Sequence, residues 1–164
     1  MRRIILIAHN VRSTHNVGSL LRTADGLGVE RVFLTGYTPY PLTKDDDRLP
    51  HLAQKIDHQI AKTALGAENS VKWAHQADIF ALLTDLKVDG FRIVALEQVK
   101  GSIKLPEFSP PEKIALVVGR EVEGIEPEVL ATTDTVIEIP MLGNKESLNV
   151  VQAAAMGLYH IRFI

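Results

Sequence analysis

The chain contains no cysteine, no long apolar run and no large excess of charge of one sign. Without cysteine it has no disulfide framework, no thiolate nucleophile and no thiolate metal site. No apolar run approaches the roughly 20 residues that cross a bilayer. The start of the chain, Met1–Ile7, is too short for a signal peptide. We therefore expect a cytoplasmic protein without a membrane partner.

The formal net charge is −2, so the chain lacks the overall positive charge of a protein that holds nucleic acid by bulk electrostatics. A nucleic-acid partner would have to be held by local basic groups, or by a surface that a dimer assembles. With 164 residues, 46% of them apolar and 23% charged, the chain has the size and composition of one compact globular domain. We expect residues 1–164 to form that domain.

Common nucleotide fingerprints and metal-ligand spacings are also missing. No G-x-G-x-x-G follows the first apolar run, and no G-x-x-x-x-G-K-[ST] occurs, so neither a Rossmann dinucleotide site nor a P-loop is expected. The six histidines are scattered, and none forms an H-x-x-x-H pair at ligand spacing. We predict no metal site.

Buried strands and amphipathic helices alternate along the chain. Short β-branched apolar runs predict strands at Arg3–Ala8, Arg31–Thr35, Ile93–Leu96, Ile114–Val118 and Thr135–Ile139. Helices are predicted at Asn16–Leu27 with Gly28 as its cap, at His51–Thr63, Ala77–Val88 and Leu148–Phe163, and near Pro127–Thr132. The acidic run Asp45–Asp47 is interpreted as a solvated helix start. The opening strand, helix and strand form a βαβ unit, so we predict an α/β fold with a mostly parallel sheet flanked by helices.

Polar residues and glycines follow three of the predicted strands, at the edge where ligands gather in open α/β sheets. They are His9–Arg12 with Asn16 and Arg22 after the first strand, Gly119–Gly124 after the fourth, and Pro140–Asn144 with Ser147–Asn149 after the fifth. Each segment also has a plain structural interpretation. Gly119–Gly124 is a turn with solvated acids, Ser147 and Asn149 are helix caps, and Arg22 is a surface arginine.

Taken together, these segments resemble the SpoU-TrmH family of SPOUT RNA 2′-O-ribose methyltransferases. The first motif is N-x5-N-x5-R-x5-G from Asn10 to Gly28, and the second is L-V-V-G-x-E-x-x-G-I from Leu116 to Ile125. The third is I-P-M-x-G-x-x-x-S-L-N-V from Ile139 to Val150, and Lys62–Glu68 is similar to the family's middle region. The motifs occur in the family's order and span nearly the whole chain.

The resemblance implies a C-terminal trefoil knot, a homodimer, the methyl donor S-adenosylmethionine and a tRNA or rRNA substrate. It implies donor contacts at Val118, Gly119, Glu121, Gly124, Ile139, Met141, Ser147 and Leu148. It implies a reaction site drawn from both protomers, formed by Arg22, Asn16, Glu121, Ser147 and Asn149. We further expect the RNA to contact Asn10, Arg12, Arg22 and Arg120.

The residue chemistry suits methyl transfer to a ribose hydroxyl. The amides and the hydroxyl of Asn16, Asn149 and Ser147 can orient polar groups without adding charge. Arg22 can grip a phosphate or stabilise the 2′-oxygen as its negative charge develops. A guanidinium titrates too high to be an ordinary base. Arg120 stands where the family often has a smaller or amide residue, and it either aids RNA binding or pairs with Glu123.

Two other functions stay open at this point. A catalytically silent knotted RNA-binding protein is one, although all the polar motif residues that such a protein would lose are present. A small-molecule enzyme that uses another nucleotide is the other, suggested only by the βαβ opening. Because the first strand begins at once and the chain stops with the last helix, we expect a minimal catalytic domain.

Overall fold

The computed structural model describes residues 1–164, which are built around a sheet of seven strands. The strands are β1 (Arg3–His9), β2 (Arg31–Thr35), β3 (Trp73–Gln76), β4 (Arg92–Leu96), β5 (Ile103–Lys104), β6 (Lys113–Val118) and β7 (Thr135–Glu138). Every pairing is parallel, in the order β3-β2-β1-β6-β4-β7-β5. The helices are α1 (Thr14–Gly26), α2 (Pro50–Ala64), α3 (Ala67–Ser70), α4 (Ile79–Val88), α5 (Pro127–Leu130) and α6 (Val150–Phe163), with a 3-10 turn at Leu105–Glu107. The predicted α/β class is confirmed.

The central strands are buried on both faces of the sheet. Only the first residue of β1 is exposed, and all but the first residue of β6 are buried. One face packs against α1, α2 and α6 through residues such as Leu20, Ile60 and Leu158. The other face packs against α4 and α5 through Leu83 and Val129. Burial on both faces explains why these strands are continuous apolar runs that sequence alone predicts.

Apolar periodicity does not predict β3 and β5, which lie at the two edges of the sheet. All four residues of β3 are only partly buried, and they include the polar His75 and Gln76. β5 has two residues, Ile103 and Lys104, and both are exposed. Edge strands that pack on one side, or scarcely at all, lack the apolar run that marks a central strand.

Several predicted helix starts are wrong because local hydrogen bonds place them elsewhere; α1, for example, begins at Thr14 rather than Asn16, with Ser13 as its cap. The acidic run does not open a helix; Asp46 instead accepts hydrogen bonds from Arg48 and from the Thr43 N–H. α2 begins at Pro50, whose fixed φ suits a first turn. α4 begins at Ile79 rather than Ala77, because the Asp78 carboxylate caps it by accepting from Phe80 N at 2.9 Å.

The C-terminal half has the less direct chain path. From β4 the chain runs to the edge strand β5, returns to β6 beside β1, and runs out again to β7, which lies between β4 and β5. The trefoil knot implied by the family resemblance falls in this region and stays a prediction. No helix combines the length and apolar character needed to cross a bilayer. The fold assembles no group of three or more histidine, aspartate or glutamate side chains that could hold a metal ion.

Candidate active site

A cleft lies at the carboxyl ends of β4, β6 and β7, and its empty space is about 750 Å³ when the open solvent at its mouth is included. It is lined by all eight residues predicted to contact the methyl donor, namely Val118, Gly119, Glu121, Gly124, Ile139, Met141, Ser147 and Leu148. Two of the three segments that the sequence places after separate strands, the one after β6 and the one after β7, therefore meet in this cleft.

The cleft also contains residues that sequence reasoning missed. Leu96, Glu97 and Gln98 line it from the end of β4, and Glu138 lines it from the end of β7. Their position at the ends of two predicted strands could have identified them, because residues that follow neighbouring parallel strands gather at the same edge of the sheet. The Glu97–Gln98 pair carries no glycine or motif residue, so it did not stand out.

The loop Gly119–Ile125 is folded back tightly on itself. Arg120 and Gly124 exchange backbone hydrogen bonds of 3.2 and 3.3 Å as an antiparallel bridge. Gly124 has φ +71, and a Cβ there would overlap Glu97 Oε2. That carboxylate oxygen accepts a hydrogen bond from Ile125 N at 2.9 Å. Gly124 is thus required both for its left-handed conformation and for the close approach of Glu97.

Glu121 joins this loop to the segment after β1. Its Oε1 accepts from Ser13 N and from Asn16 Nδ2, both at 3.1 Å, and its Oε2 accepts from Arg12 N at 3.3 Å. Partial burial acts to raise the pKa of Glu121, but the hydrogen bonds from Ser13 and Asn16 outweigh it, so the pKa lies below its ordinary value. Glu121 is therefore an ionised, fixed acceptor rather than a solvated turn residue.

Asn149 extends the same network to the last helix. Its Oδ1 accepts from Val151 N at 2.8 Å as the cap of α6, and its Nδ2 lies 3.4 Å from Asn16 Oδ1. The helix accordingly begins at Val150 and not at Leu148. Asn16, Glu121 and Asn149 form a continuous chain of hydrogen bonds, whereas Ser147 is exposed and has no hydrogen bond to it. Asn149 alone combines the cap with a place in this network.

Asn16 and Asn149 lie outside the cleft lining but belong to the hydrogen-bonded network around Glu121. Arg22 is the one predicted reaction-site residue that belongs to neither. It is exposed and is not among the residues that line the cleft. Six residues separate it from Asn16 along α1, which corresponds to about 9 Å of helix. The guanidinium makes no hydrogen bond or ion pair to another side chain of this chain.

Of the predicted RNA contacts, Arg120 lines the cleft, whereas Asn10 and Arg12 lie outside its lining. Arg120 does not pair with Glu123, contrary to one of the two alternatives; its Nε lies 3.1 Å from Gly124 O and 3.9 Å from Glu126 Oε1. Glu123 pairs instead with Arg12 at 3.1 Å. The turn that bridges Arg120 to Gly124 points the Arg120 side chain along its own loop, towards Glu126.

Asn10 belongs to a second polar cluster behind the loop. It has φ +55, its Oδ1 accepts from Tyr37 N at 3.0 Å, and its Nδ2 donates to Glu126 Oε1 at 2.7 Å. Glu126 Oε2 lies 3.4 Å from Nε2 of the buried His9. Burial lowers the pKa of His9, against the opposing effect of Glu126. Burial also acts to raise the pKa of Glu126, but hydrogen bonds from its own backbone N–H and from Asn10, with the nearby charge of Arg120, hold that pKa below its ordinary value.

A parallel α/β sheet with a glycine-walled cleft at its carboxyl edge defines a ligand-binding enzyme-like domain. The family of this domain follows from its sequence. Residues 3–159 match the model of the SpoU rRNA Methylase family. The chain belongs to that family, and the resemblance drawn from its three motifs is confirmed.

Individual relatives agree with this assignment. The chain is 32% identical over 161 residues to an uncharacterised tRNA/rRNA methyltransferase of Mycobacterium tuberculosis, covering 96% of this chain and 51% of the relative. It is 31% identical over 159 residues to a tRNA (guanosine(18)-2′-O)-methyltransferase of Aquifex aeolicus, covering 95% and 67% of the two chains. The crystal structure of the A. aeolicus TrmH/SpoU tRNA modifying enzyme superposes with a TM-score of 0.80 at 28% identity, covering 99% of this chain and 75% of that one. The chain thus spans about half the length of the first of these relatives.

Proposed function

We propose that the chain is an S-adenosylmethionine-dependent methyltransferase that modifies a ribose 2′-hydroxyl of tRNA or rRNA. The observation that carries the proposal is the convergence of all eight expected donor contacts on one cleft. The hydrogen-bonded chain of Glu121, Asn16 and Asn149 connects this cleft to α1. Family membership and the 2′-O-methyltransferase name of the Aquifex relative support the choice of a ribose oxygen.

The residues of the cleft fit the methyl donor. Val118, Ile139 and Leu148 provide apolar walls suited to an adenine ring, and Gly119 and Gly124 expose backbone groups. Four glutamates line the cleft, which suits a ligand that carries positive charge. When bound, S-adenosylmethionine supplies an electrophilic sulfonium methyl group for in-line displacement by the 2′-oxygen.

The chain's own contribution is to position the acceptor and stabilise its charge. The amides of Asn16 and Asn149 are held at fixed positions by Glu121 and by the start of α6. Holding reacting groups in alignment accounts for a large part of the acceleration in such displacements. The 2′-hydroxyl must also release its proton, and a guanidinium near the oxygen stabilises the alkoxide that develops.

Arg22 is the residue proposed to supply that guanidinium, through a homodimer. Because Arg22 is exposed and outside its own cleft, a second copy of the chain is the simplest way to bring it to a reaction site. The same dimer would combine Arg12, Arg120 and the Asn10 segment of two chains into one RNA-binding surface. Each chain has net charge −2, so the RNA contacts must come from such local groups.

The experiment that tests this proposal compares Arg22→Ala with the wild type. We expect methyl transfer from radiolabelled S-adenosylmethionine to unmodified tRNA and rRNA to fall at least about a hundredfold, a loss typical of removing one charge-stabilising donor. Calorimetric affinity for the donor should persist. Arg92→Ala is the matched control, since Arg92 is an exposed arginine at the first residue of β4, on the opposite edge of the sheet.

Each outcome bears on a separate part of the proposal. Full activity of Arg22→Ala would contradict the role proposed for Arg22. Failure of the wild-type chain to bind S-adenosylmethionine would contradict the proposed methyltransferase activity. Sedimentation at micromolar concentration should give a dimer, and a monomer would contradict the shared site. Mapping the ribose methylation that disappears from cells lacking the protein would identify the RNA.

A further inference from the structure

The walls of the cleft carry more negative than positive charge. Four glutamates line it, Glu97, Glu121, Glu123 and Glu138, against one arginine, Arg120. Glu123 is paired with Arg12, and Arg120 lies 3.9 Å from Glu126. No lysine or arginine lies within ion-pair distance of Glu97, Glu121 or Glu138. Three carboxylates of the cleft therefore have no counter-ion within the chain.

Glu97 is held so that its charge stays inside the cleft. Its Oε1 accepts from Gln98 N at 2.8 Å, and its Oε2 accepts from Ile125 N at 2.9 Å. The absence of a side chain at Gly124 lets the carboxylate lie directly against the loop. A carboxylate fixed by two backbone N–H groups cannot turn outward to solvent without losing both hydrogen bonds. Its field is therefore a permanent property of the cleft.

Glu138 places a second carboxylate next to the first. β4 and β7 are neighbours with Leu96 opposite Ile137, and the Glu97 N–H donates to Ile137 O at 3.0 Å. The following residues, Glu97 and Glu138, are therefore adjacent across the two strands, and both line the cleft. Glu138 Oε2 accepts from Ser102 Oγ at 2.5 Å, which is a neutral partner. Lys104 stands opposite Glu138 on the other neighbouring strand, β5, but does not form an ion pair with it, so the two like charges favour a further cation in the cleft.

We propose that Glu97, assisted by Glu138, makes the cleft discriminate its ligands by charge, favouring the cationic methyl donor over the demethylated product. This inference rests on the proposed function. S-adenosylmethionine carries a sulfonium charge that S-adenosylhomocysteine lacks, while the rest of the two molecules is shared. Carboxylates that line a partly enclosed cleft would favour a ligand with one more positive charge over the same ligand without it. Glu97 is thus a specificity-determining residue that speeds replacement of product by fresh donor.

The test measures binding of both ligands, without RNA and without turnover. Dissociation constants of S-adenosylmethionine and S-adenosylhomocysteine are measured by calorimetry for the full chain, for Glu97→Gln and for Glu138→Gln. We expect the ratio of the product's constant to the donor's to fall about three- to tenfold in Glu97→Gln, as loss of one nearby charge implies. A smaller fall is expected in Glu138→Gln. Raising the salt concentration should lower the ratio of the two dissociation constants in the wild type, because salt screens the charges of the cleft.

Two further variants separate charge from shape. Glu97→Asp keeps the negative charge but shortens the side chain, so it should weaken both ligands while largely preserving the ratio. Glu107→Gln is the matched control, because Glu107 is an exposed carboxylate that does not line the cleft. Its ratio should equal that of the wild type. Thermal unfolding shows whether each variant is folded, and Glu138→Gln decides the question should Glu97→Gln fail to fold.

The outcomes distinguish this inference from the function on which it rests. Equal weakening of both ligands in Glu97→Gln would show that Glu97 contacts the shared nucleoside or amino acid part, and would overturn charge discrimination. An unchanged ratio in both glutamine variants would overturn it as well. If the wild-type chain binds neither ligand, the methyltransferase proposal fails and the inference fails with it. A lowered ratio with donor binding retained supports both.

Discussion

Glu121 and Glu126 lie five residues apart on the loop after β6, and both tie that loop to the segment after β1, yet they do so with different chemistry. Glu121 is held by neutral donors, the N–H groups of Arg12 and Ser13 and the amide of Asn16. Glu126 is held by the Asn10 amide together with the ionisable His9 and the cationic Arg120. One carboxylate lines the cleft and the other lies behind it.

The difference shows how a reaction site and its support can be built from one loop. Neutral donors keep their geometry over the whole pH range in which Glu121 is ionised, so the polar groups of the cleft stay in place. The cluster around Glu126 changes its charge when His9 titrates. We therefore expect the Glu121 network to control catalysis, and the cluster around Glu126 to control stability and its dependence on pH.

Gly124 lies between the two glutamates, and substituting it should have the largest effect. In Gly124→Ala the new Cβ meets Glu97 and the residue keeps an unfavourable positive φ. We expect the free energy of unfolding to fall by about 2–4 kcal/mol. Calorimetry should show donor affinity lowered at least about tenfold, since a misplaced loop loses several contacts at once.

Gly143→Ala is the matched control for Gly124→Ala. A Cβ at Gly143 meets nothing within 4 Å, and Gly143 is not among the glycines with positive φ. It lies in the segment between β7 and α6, beside the cleft. Its stability and donor affinity should equal those of the wild type. If the two alanine variants behave alike, the loop does not depend on the close approach of Glu97.

Glu121→Gln and Glu126→Gln test the comparison directly. Whichever way the amide of a glutamine at 121 turns, its N–H₂ faces a backbone N–H that the carboxylate accepted, either that of Arg12 or that of Ser13. The segment that leads into α1 must therefore shift, and Asn16 shifts with it. We expect kcat/KM for RNA methylation to fall about a hundredfold in Glu121→Gln, the usual cost of misplacing reacting groups by about 1 Å. The fall in Glu126→Gln should stay under about threefold. The reverse ranking would place the catalytic network behind the loop instead of in the cleft.

The sequence predicts the Glu121 side of this comparison far better than the Glu126 side, for a physical reason. Asn16, Glu121 and Asn149 occur at fixed positions within three motifs, so the sequence marks them before the fold brings them together. His9 and Glu126 meet through the fold alone, 117 residues apart and without a spacing pattern. Glu97 and Ile125 meet in the same way, across two strand ends.

The fold shows the same contrast between central and edge elements. β1, β2, β4, β6 and β7 are apolar enough to be predicted within one or two residues of their bounds, whereas β3 and β5 are short, partly polar edge strands. Arg22 is a third kind of case. Its motif marks it for chemistry, but the sequence does not predict that it is exposed outside the cleft of a single chain.

Stability should depend on pH through His9 well before it depends on Glu121. Burial lowers the pKa of His9 from 6.5, so the unfolded chain binds the proton first and stability is lost as the pH falls below about 6.5. The pKa of Glu121 is lowered from 4.5, so its contribution is present above about pH 4.5 and is lost below it. Chemical denaturation at pH 7.5, 6.5, 5.5 and 4 separates the two windows.

The His9→Gln variant isolates the first window from the other five histidines. The difference in free energy of unfolding between wild type and His9→Gln should shrink as the pH falls from 7.5 to 5.5. For Glu121→Gln the corresponding difference should stay constant over that range and shrink only below about pH 4.5. Parallel pH profiles for wild type and His9→Gln would mean that His9 does not titrate differently in the folded chain.

Arg12→Ala should have the smallest effect, and it tests whether the Glu121 network depends on the side chain of Arg12 or only on its backbone. Its side chain forms an exposed ion pair with Glu123, and such pairs contribute little to stability. The group that Arg12 offers to Glu121 is its backbone N–H, which Arg12→Ala retains. We expect unchanged thermal unfolding, donor affinity and kcat, with the KM for RNA raised a few-fold. The salt dependence of RNA binding should weaken by about one counterion, as for the loss of one phosphate contact. A lowered kcat instead would mean that the Arg12 side chain, and not only its backbone, belongs to the network that positions Asn16.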